Sequence, residues 1–278
     1  MQEGWAFWRR PSFCRKEILT LNLFLANTGG YFASVSTWFD GIKGDFVKNF
    51  IKDDRWKKLL NGLGETLDIT AIALLIGIVI GICVAAVRTS YDKNLESLKA
   101  KGGIGYYLLK FANAICKVYL AIIRGTPVVV QLLIFYFIIL ASAKDGKPVA
   151  MLTFGINSGA YVAEIFRGGI MSIDNGQFEA GRSLGFNYIQ TMRHIIVPQV
   201  FKATLPTLCN EFIVLLKETS VAGYVGIIEL TKAGDIIRGV TFTPIMPLLA
   251  VALIYLVVVL VLTWLVGKLE RRLRRSER

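Results

Sequence analysis

The chain has 278 residues, of which 54% are hydrophobic and 19% charged, and its formal net charge is +12. Ile69 to Val87, Gly125 to Ala143 and Gly239 to Gly267 carry no charged side chain, which is not the pattern of a water-soluble domain. In a soluble protein the positive excess would suggest a nucleic-acid partner; beside these apolar blocks it reads as loop charge asymmetry in a lipid bilayer, and no nucleic-acid partner is expected. A helix needs roughly 20 residues to cross about 30 Å of hydrocarbon. A spanning strand would alternate in polarity. These blocks do not alternate, so the expected fold class is an all-α integral membrane protein.

In chain order, residues 1–45 form an N-terminal extension. Its segment Ile18 to Phe39 is moderately apolar but carries Asn22, Asn27, Gly29 and Gly30, and it reads as interfacial rather than spanning. Phe46 to Leu60 places Phe46, Val47, Phe50, Ile51, Trp56 and Leu59 at helical spacing against Lys48, Lys52, Asp53 and Lys57. Residues 46–62 therefore predict an amphipathic helix on the membrane surface. The membrane region, 63–270, follows. The first span is expected at 63–87. The second starts near Gly105, is ended or kinked by Pro127, and is completed by Val128 to Ala143. Lys144 to Pro148 is a turn. The third span covers Val149 to Ile170, the fourth 198–220 and the fifth 242–267; 171–197 and 217–238 are polar loops, and 268–278 is a basic tail.

Orientation follows from loop charge. A basic tail belongs on the cytoplasmic side. Counting back through five spans puts 88–117 and 171–197 on that side too, and the first of these is rich in Arg88, Lys93, Lys99, Lys101, Lys110 and Lys117. The loops at 144–147 and 217–238 are nearly balanced, which suits the outside. The chain is thus expected to be a multi-pass membrane protein with a cytoplasmic C-terminus.

Within the 171–197 loop, Asp174 and Gln177 have the spacing of a capping box. Ala180 and Leu184 share a helical face, Gly185 supplies a helix stop, a second short helix starts near Tyr188, and Pro198 opens the fourth span. A compact helix–turn–helix with an apolar knob and a charged rim suits docking into a groove of a soluble partner.

Glu179-Ala180, Gly185 and Pro198 at this spacing resemble the "EAA" cytoplasmic loop of ABC-importer permeases. Arg124-Gly-Thr-Pro-Val-Val-Val-Gln131, Asn157-Ser-Gly-Ala-Tyr-Val-Ala-Glu-Ile-Phe-Arg-Gly-Gly-Ile170 and Asn210-Glu-Phe-Ile-Val-Leu-Leu-Lys-Glu-Thr-Ser220 resemble the polar amino-acid (histidine/glutamine/arginine-type) permease family. Residue 181 is Gly where many members carry Ala. The resemblance covers about 45–270 and implies the five-helix core of a type I ABC importer permease. It also implies a second permease copy or close relative, separate ABC ATPase subunits, an extracytoplasmic binding protein, an amino-acid substrate and a place in the plasma membrane of a bacterial cell. Glu179, Ala180, Gly181, Leu184, Gly185 and Pro198 would then couple the chain to the ATPase.

No G-x-x-x-x-G-K-[ST] phosphate loop is present, so nucleotide chemistry is expected on a partner chain and the protein is not expected to be an enzyme. The four cysteines lack metal or disulfide spacing, and no cofactor is expected. Polar residues at bilayer depth are costly unless they face protein or water. Asn157, Tyr161, Glu164, Asn210, Glu211, Lys217 and Thr219 are therefore candidate substrate-pathway residues. Glu164 could instead pair with Arg167 one turn away, and Lys217 could reach the headgroups. A secondary transporter or channel independent of ATP is the alternative, although no internal repeat of the kind common in such folds is visible. His194, the one histidine, stands in a loop without a catalytic constellation.

Overall fold

The computed structural model of the chain describes residues 41–101 and 103–275. The segment 18–39 and the end of the basic tail lie outside the described residues. The chain divides into two compact units, Met1–Arg55 and Trp56–Arg278. In the first, the run expected to be one amphipathic helix is broken. Val47–Ile51 is a π-helical turn and Lys52–Asp54 a 3-10 turn. Asp53 and Asp54 adopt positive φ (57° and 52°), a conformation that Asp tolerates better than most residues.

Most of the remaining described residues are helical, and the α-helices are α1 (Arg55–Lys101), α2 (Ile104–Gly125), α3 (Val128–Ile134), α4 (Gly146–Ser172), α5 (Asn175–Ser183), α6 (Tyr188–Thr191), α7 (Val197–Glu218), α8 (Leu230–Thr241) and α9 (Ile245–Arg275). Among the described residues, four helical stretches are long and apolar enough to cross a bilayer: Gly41–Lys93, Ile104–Gly125, Gly146–Ser172 and Ile245–Leu273. α7 has the length but carries Lys202, Glu211, Lys217 and Glu218.

Several boundaries differ from expectation. α1 runs through Asn61-Gly62 and on to Lys101. No proline interrupts it, and a lone Gly costs only about 1 kcal/mol in a helix. The second crossing is two helices. α2 stops at Gly125, Pro127 caps α3, and a π-helical turn carries the chain to Ile139. The loop expected at 217–238 is mostly helical, with a 3-10 segment Thr219–Val225 followed by α8. Glu229 sets the start of α8. Its carboxylate accepts from the backbone N–H of Thr231 (2.6 Å) and Lys232 (2.7 Å). That carboxylate is buried, which raises its pKa above the ordinary value, against the lowering effect of these hydrogen bonds.

α4 is the centre of the bundle. In lipid, apolar burial does not drive helices together, so close approach by small residues must do so. Gly77 and Gly81 of α1 and Gly155 and Gly159 of α4, both pairs at four-residue spacing, lie along the contact between these helices: Gly77 meets Ser158 and Gly159, Gly81 meets Val162, Gly155 meets Ile76 and Gly159 meets Ile80. A Cβ at Gly81 would come within 2.5 Å of Val162, and one at Gly155 within 2.6 Å of Ile76. The two helices run in the same direction. Lys147, at the start of α4, pairs with Glu65 (2.8 Å) and Asp68 (2.6 Å) of α1, and further along Arg88 of α1 meets Glu164 of α4 (3.4 Å). Asp145 caps α4 by accepting from the Lys147 N–H. On its other side α4 packs extensively on α7, and Phe154, Leu215, Leu132 and Ile69 are fully buried where α1, α3, α4 and α7 meet.

Candidate functional site

The break between α2 and α3 is the first feature the polar residues explain. Pro127 has no N–H to donate, and the turn before it leaves carbonyls without helical partners. Thr126 Oγ1 donates to Ile122 O (2.8 Å). Gln131 Nε2 lies within hydrogen-bonding distance of Ile123 O (2.8 Å), Thr126 Oγ1 (2.9 Å) and Thr126 O (3.1 Å), and its Oε1 accepts from Asn157 Nδ2 (3.0 Å). The Arg-Gly-Thr-Pro…Gln segment is thus a self-satisfying break pinned to the middle of α4. Gln131, absent from the expected site residues, is its keystone. A glutamine four residues after a proline within an apolar run was the available signal.

Asn157 is buried and its Oδ1 finds no partner among the described residues. The next residue, Ser158, donates from Oγ to Glu211 Oε1 of α7 (3.0 Å). Two polar ties therefore cross α4 at mid-helix, one to α3 and one to α7. The Arg124 guanidinium lies 5.7 Å from the centre of the Tyr161 ring. Asn210 and Lys217 are exposed. Positions 203, 207, 210, 214 and 217 of α7 form one exposed stripe at helical spacing, flanked by the half-buried Glu211 and Glu218.

Glu164 and Thr219 are placed elsewhere. Glu164 belongs to a chain of charges, pairing with Arg88 (3.4 Å) and Arg167 (3.4 Å), while Arg167 reaches Asp92 (3.1 Å). Thr219 is fully buried, donates to Leu216 O and lies 3.5 Å from Thr70 Oγ1 of α1. The fold therefore does not gather the seven candidate pathway residues into one cluster. It distributes them over a mid-helix polar layer, an exposed stripe of α7, an ion network and a buried threonine contact.

The helix–turn–helix between α4 and α7 forms, with a different use of its caps. Asp174 caps α5 through the Gly176 N–H (2.6 Å), whereas the Gln177 side chain turns to Gln199. The reciprocal capping box is made instead by Asn187 and Gln190 at the start of α6. Gly185 sits at φ 78°. Phe186 N–H donates to Gly181 O and Gly185 N–H to Arg182 O, which is the Schellman pattern. Gly181 is buried because Thr191 occupies the adjoining space; a Cβ there would lie 2.6 Å from both Thr191 Cγ2 and Oγ1. Phe178 packs into the core beside Ile170, Ile196 and Val200, with Lys93 Nζ 3.4 Å from its ring centre. The opposite surface presents Glu179, Ala180, Leu184 (70% exposed) and Ile189 (75%). Pro198 stands in the first turn of α7.

A bundle of bilayer-length helices with this rigid, outward-facing apolar knob matches a known class. The family of binding-protein-dependent transport system inner membrane components matches residues 102–275. The chain belongs to this family. The glutamine transport system permease protein GlnP of Escherichia coli K12 is 36% identical over 220 residues, covering 78% of this chain and 93% of that protein. The arginine transport system permease protein ArtQ of Bacillus subtilis is 32% identical over 222 residues, covering 79% and 94%. A crystal structure of an amino acid ABC transporter with histidines matches at a TM-score of 0.67 and 36% identity, covering 78% of this chain and 94% of that one. The MetNI methionine ABC transporter shares the fold at 21% identity and a TM-score of 0.63. The chain is accordingly an ABC-importer permease of all-α, type I architecture in a membrane.

Proposed function

We propose that this permease carries polar amino acids, handed over by a binding protein outside the cell, along the exposed polar stripe of α7, with a second permease copy or close relative completing the route. Two ABC ATPase subunits beneath the pair drive it through the knob around Leu184. The observation that carries the reading is the stripe itself. Thr207, Asn210, Val214 and Lys217 run along one face of a bilayer-length helix, with Glu211 and Glu218 at its edge. Such a face is unfavourable against lipid and suits water or a partner helix. Glu211 can attract an α-ammonium or cationic side chain, and Lys217 an α-carboxylate. Glu164 and Thr219 are already engaged and are left out of the route.

The basic C-terminal turns of α9 and the charge of 88–117 support a cytoplasmic C-terminus. The family match does not favour the ATP-independent alternative, and nucleotide hydrolysis is assigned to the partner ATPase. The test is reconstitution of the permease with its ATPase and binding protein in proteoliposomes, followed by uptake of glutamine, arginine and histidine with and without ATP. Uptake should require ATP, and Glu211→Gln should depress cationic substrates most. ATP-independent uptake, or an unchanged substrate profile in Glu211→Gln, would refute the respective halves of the proposal.

A further inference from the structure

One cavity stands apart from the polar stripe. It is a groove of about 720 Å³ bounded by α1, α4, α7 and α9, with an almost wholly apolar lining that includes Ile82, Phe166, Phe201, Phe212 and Leu265. On α7 the lining is centred on positions 201, 205, 208, 209 and 212, with 197, 200 and 213 beside them. At 100° per residue these lie on the face opposite 203, 207, 210, 214 and 217. A zwitterionic amino acid would lose its hydration there without replacement.

One end of the groove is polar. Thr89 lines it, is 1% exposed, and its Oγ1 has no hydrogen-bond partner among the described residues. Ser90 and Tyr188 line the same end. Two lysines stand close in sequence to lining residues: Lys93, three positions after Ser90 on α1, whose Nζ lies 3.4 Å from the Phe178 ring centre, and Lys268, next to Leu269 on α9, whose Nζ lies 3.6 Å from the Trp264 ring centre. Of the nearby carboxylates, Asp92 is bound to Arg167, and Glu270 is followed by Arg271 and Arg272. From Leu74 to Ser90 the α1 wall is about 24 Å long at 1.5 Å per residue, more than the depth of one leaflet of a hydrocarbon core about 30 Å thick.

We propose that this groove is a phospholipid site. An acyl chain fills the apolar length, a headgroup or ester oxygen accepts from the Thr89 hydroxyl, and the Lys93 and Lys268 ammonium groups favour an anionic headgroup. The bound lipid belongs to the leaflet on the side of the helix–turn–helix and wedges α1 against α7 and α9 where Phe178 anchors the knob. The site is independent of the substrate route, being on the other face of α7.

The test uses the permease purified with its ATPase from membranes, exchanged through detergent in the presence of phosphatidylglycerol or phosphatidylcholine, and weighed intact by native mass spectrometry. The wild type should retain phosphatidylglycerol in preference to phosphatidylcholine. Ala86→Trp, which fills the groove with an apolar ring, should lose it. Thr89→Val, nearly isosteric and free of any packing insult, should retain less, and it decides the matter if Ala86→Trp fails to assemble. Equal retention by wild type and Thr89→Val, or none by wild type, overturns the proposal. So does disulfide cross-linking between two permease copies through Cys209 as the sole cysteine, because a second copy would then occupy the groove.

Discussion

Gln131→Leu tests the account of the broken second crossing most directly. The substitution keeps the approximate volume of the side chain and removes its polar end. An amide nitrogen has two hydrogens, so two of the three acceptors around Nε2 are served at once, and Oε1 accepts a third bond from Asn157. Hydrogen bonds between helices in membranes average about 0.6 kcal/mol, and leaving a buried partner unsatisfied costs about 1–3 kcal/mol. Ile123 O and the Asn157 amide are both stranded, so the expected destabilisation is about 2–4 kcal/mol. Asn157→Leu alone should cost less, because its Oδ1 is already unpartnered. In the double variant the Asn157 penalty disappears, so the two effects should sum to less than their separate values. The assay is reversible unfolding of the purified permease in mixed micelles, followed by tryptophan fluorescence for both singles and the double. Strict additivity, or a Gln131→Leu effect below about 0.5 kcal/mol, would refute the claim that Gln131 satisfies the break.

Gly185 at φ 78° should accept Asn with little loss, whereas Gly185→Val should abolish coupled ATPase activity at normal membrane levels of the permease; coupled hydrolysis equal to wild type in Gly185→Val would remove the turn from the transmission path. Gly81→Leu drives a side chain into Val162 and should cost at least about 2 kcal/mol or prevent assembly, measured by the same unfolding assay beside Gly64→Leu, where a Cβ meets nothing within 4 Å. Burial raises the Glu229 pKa, so the folded state holds its proton more tightly than the unfolded state does. The stability from this group is complete below the ordinary carboxylate pKa and is lost as pH rises through the raised value. Glu229→Gln should therefore flatten the pH dependence of unfolding between the ordinary carboxylate pKa and the raised value, and an unchanged slope in that window would count against the assignment.

The membrane class, the approximate positions of the crossings, the turn at Gly185 and the short helix from Tyr188 were all legible in the sequence. Each rests on local rules: uninterrupted apolar length, the φ restriction of proline and the αL freedom of glycine. Pro127 marked where the second crossing must break. What satisfies that break depended on Asn157, 26 positions from Gln131, and no local rule connects them. Gly77, Gly81, Gly155 and Gly159 looked like ordinary apolar-helix residues until α1 and α4 were seen to pack through them.

The polar residues divide in the same way. Their presence in apolar spans followed from composition alone, because the bilayer makes such residues expensive. Whether each meets a protein partner or an open face is a matter of helix rotation and neighbour choice. Glu164 is held by Arg88 from α1, 76 positions away, and Thr219 by burial against α1, while Asn210 and Lys217 remain on an open face of α7. The sequence by itself determined that helices cross a membrane, roughly where the crossings lie and which residues resist lipid. The tertiary structure decided which of those residues are already satisfied, because partners across the bundle are chosen by packing and not by proximity along the chain.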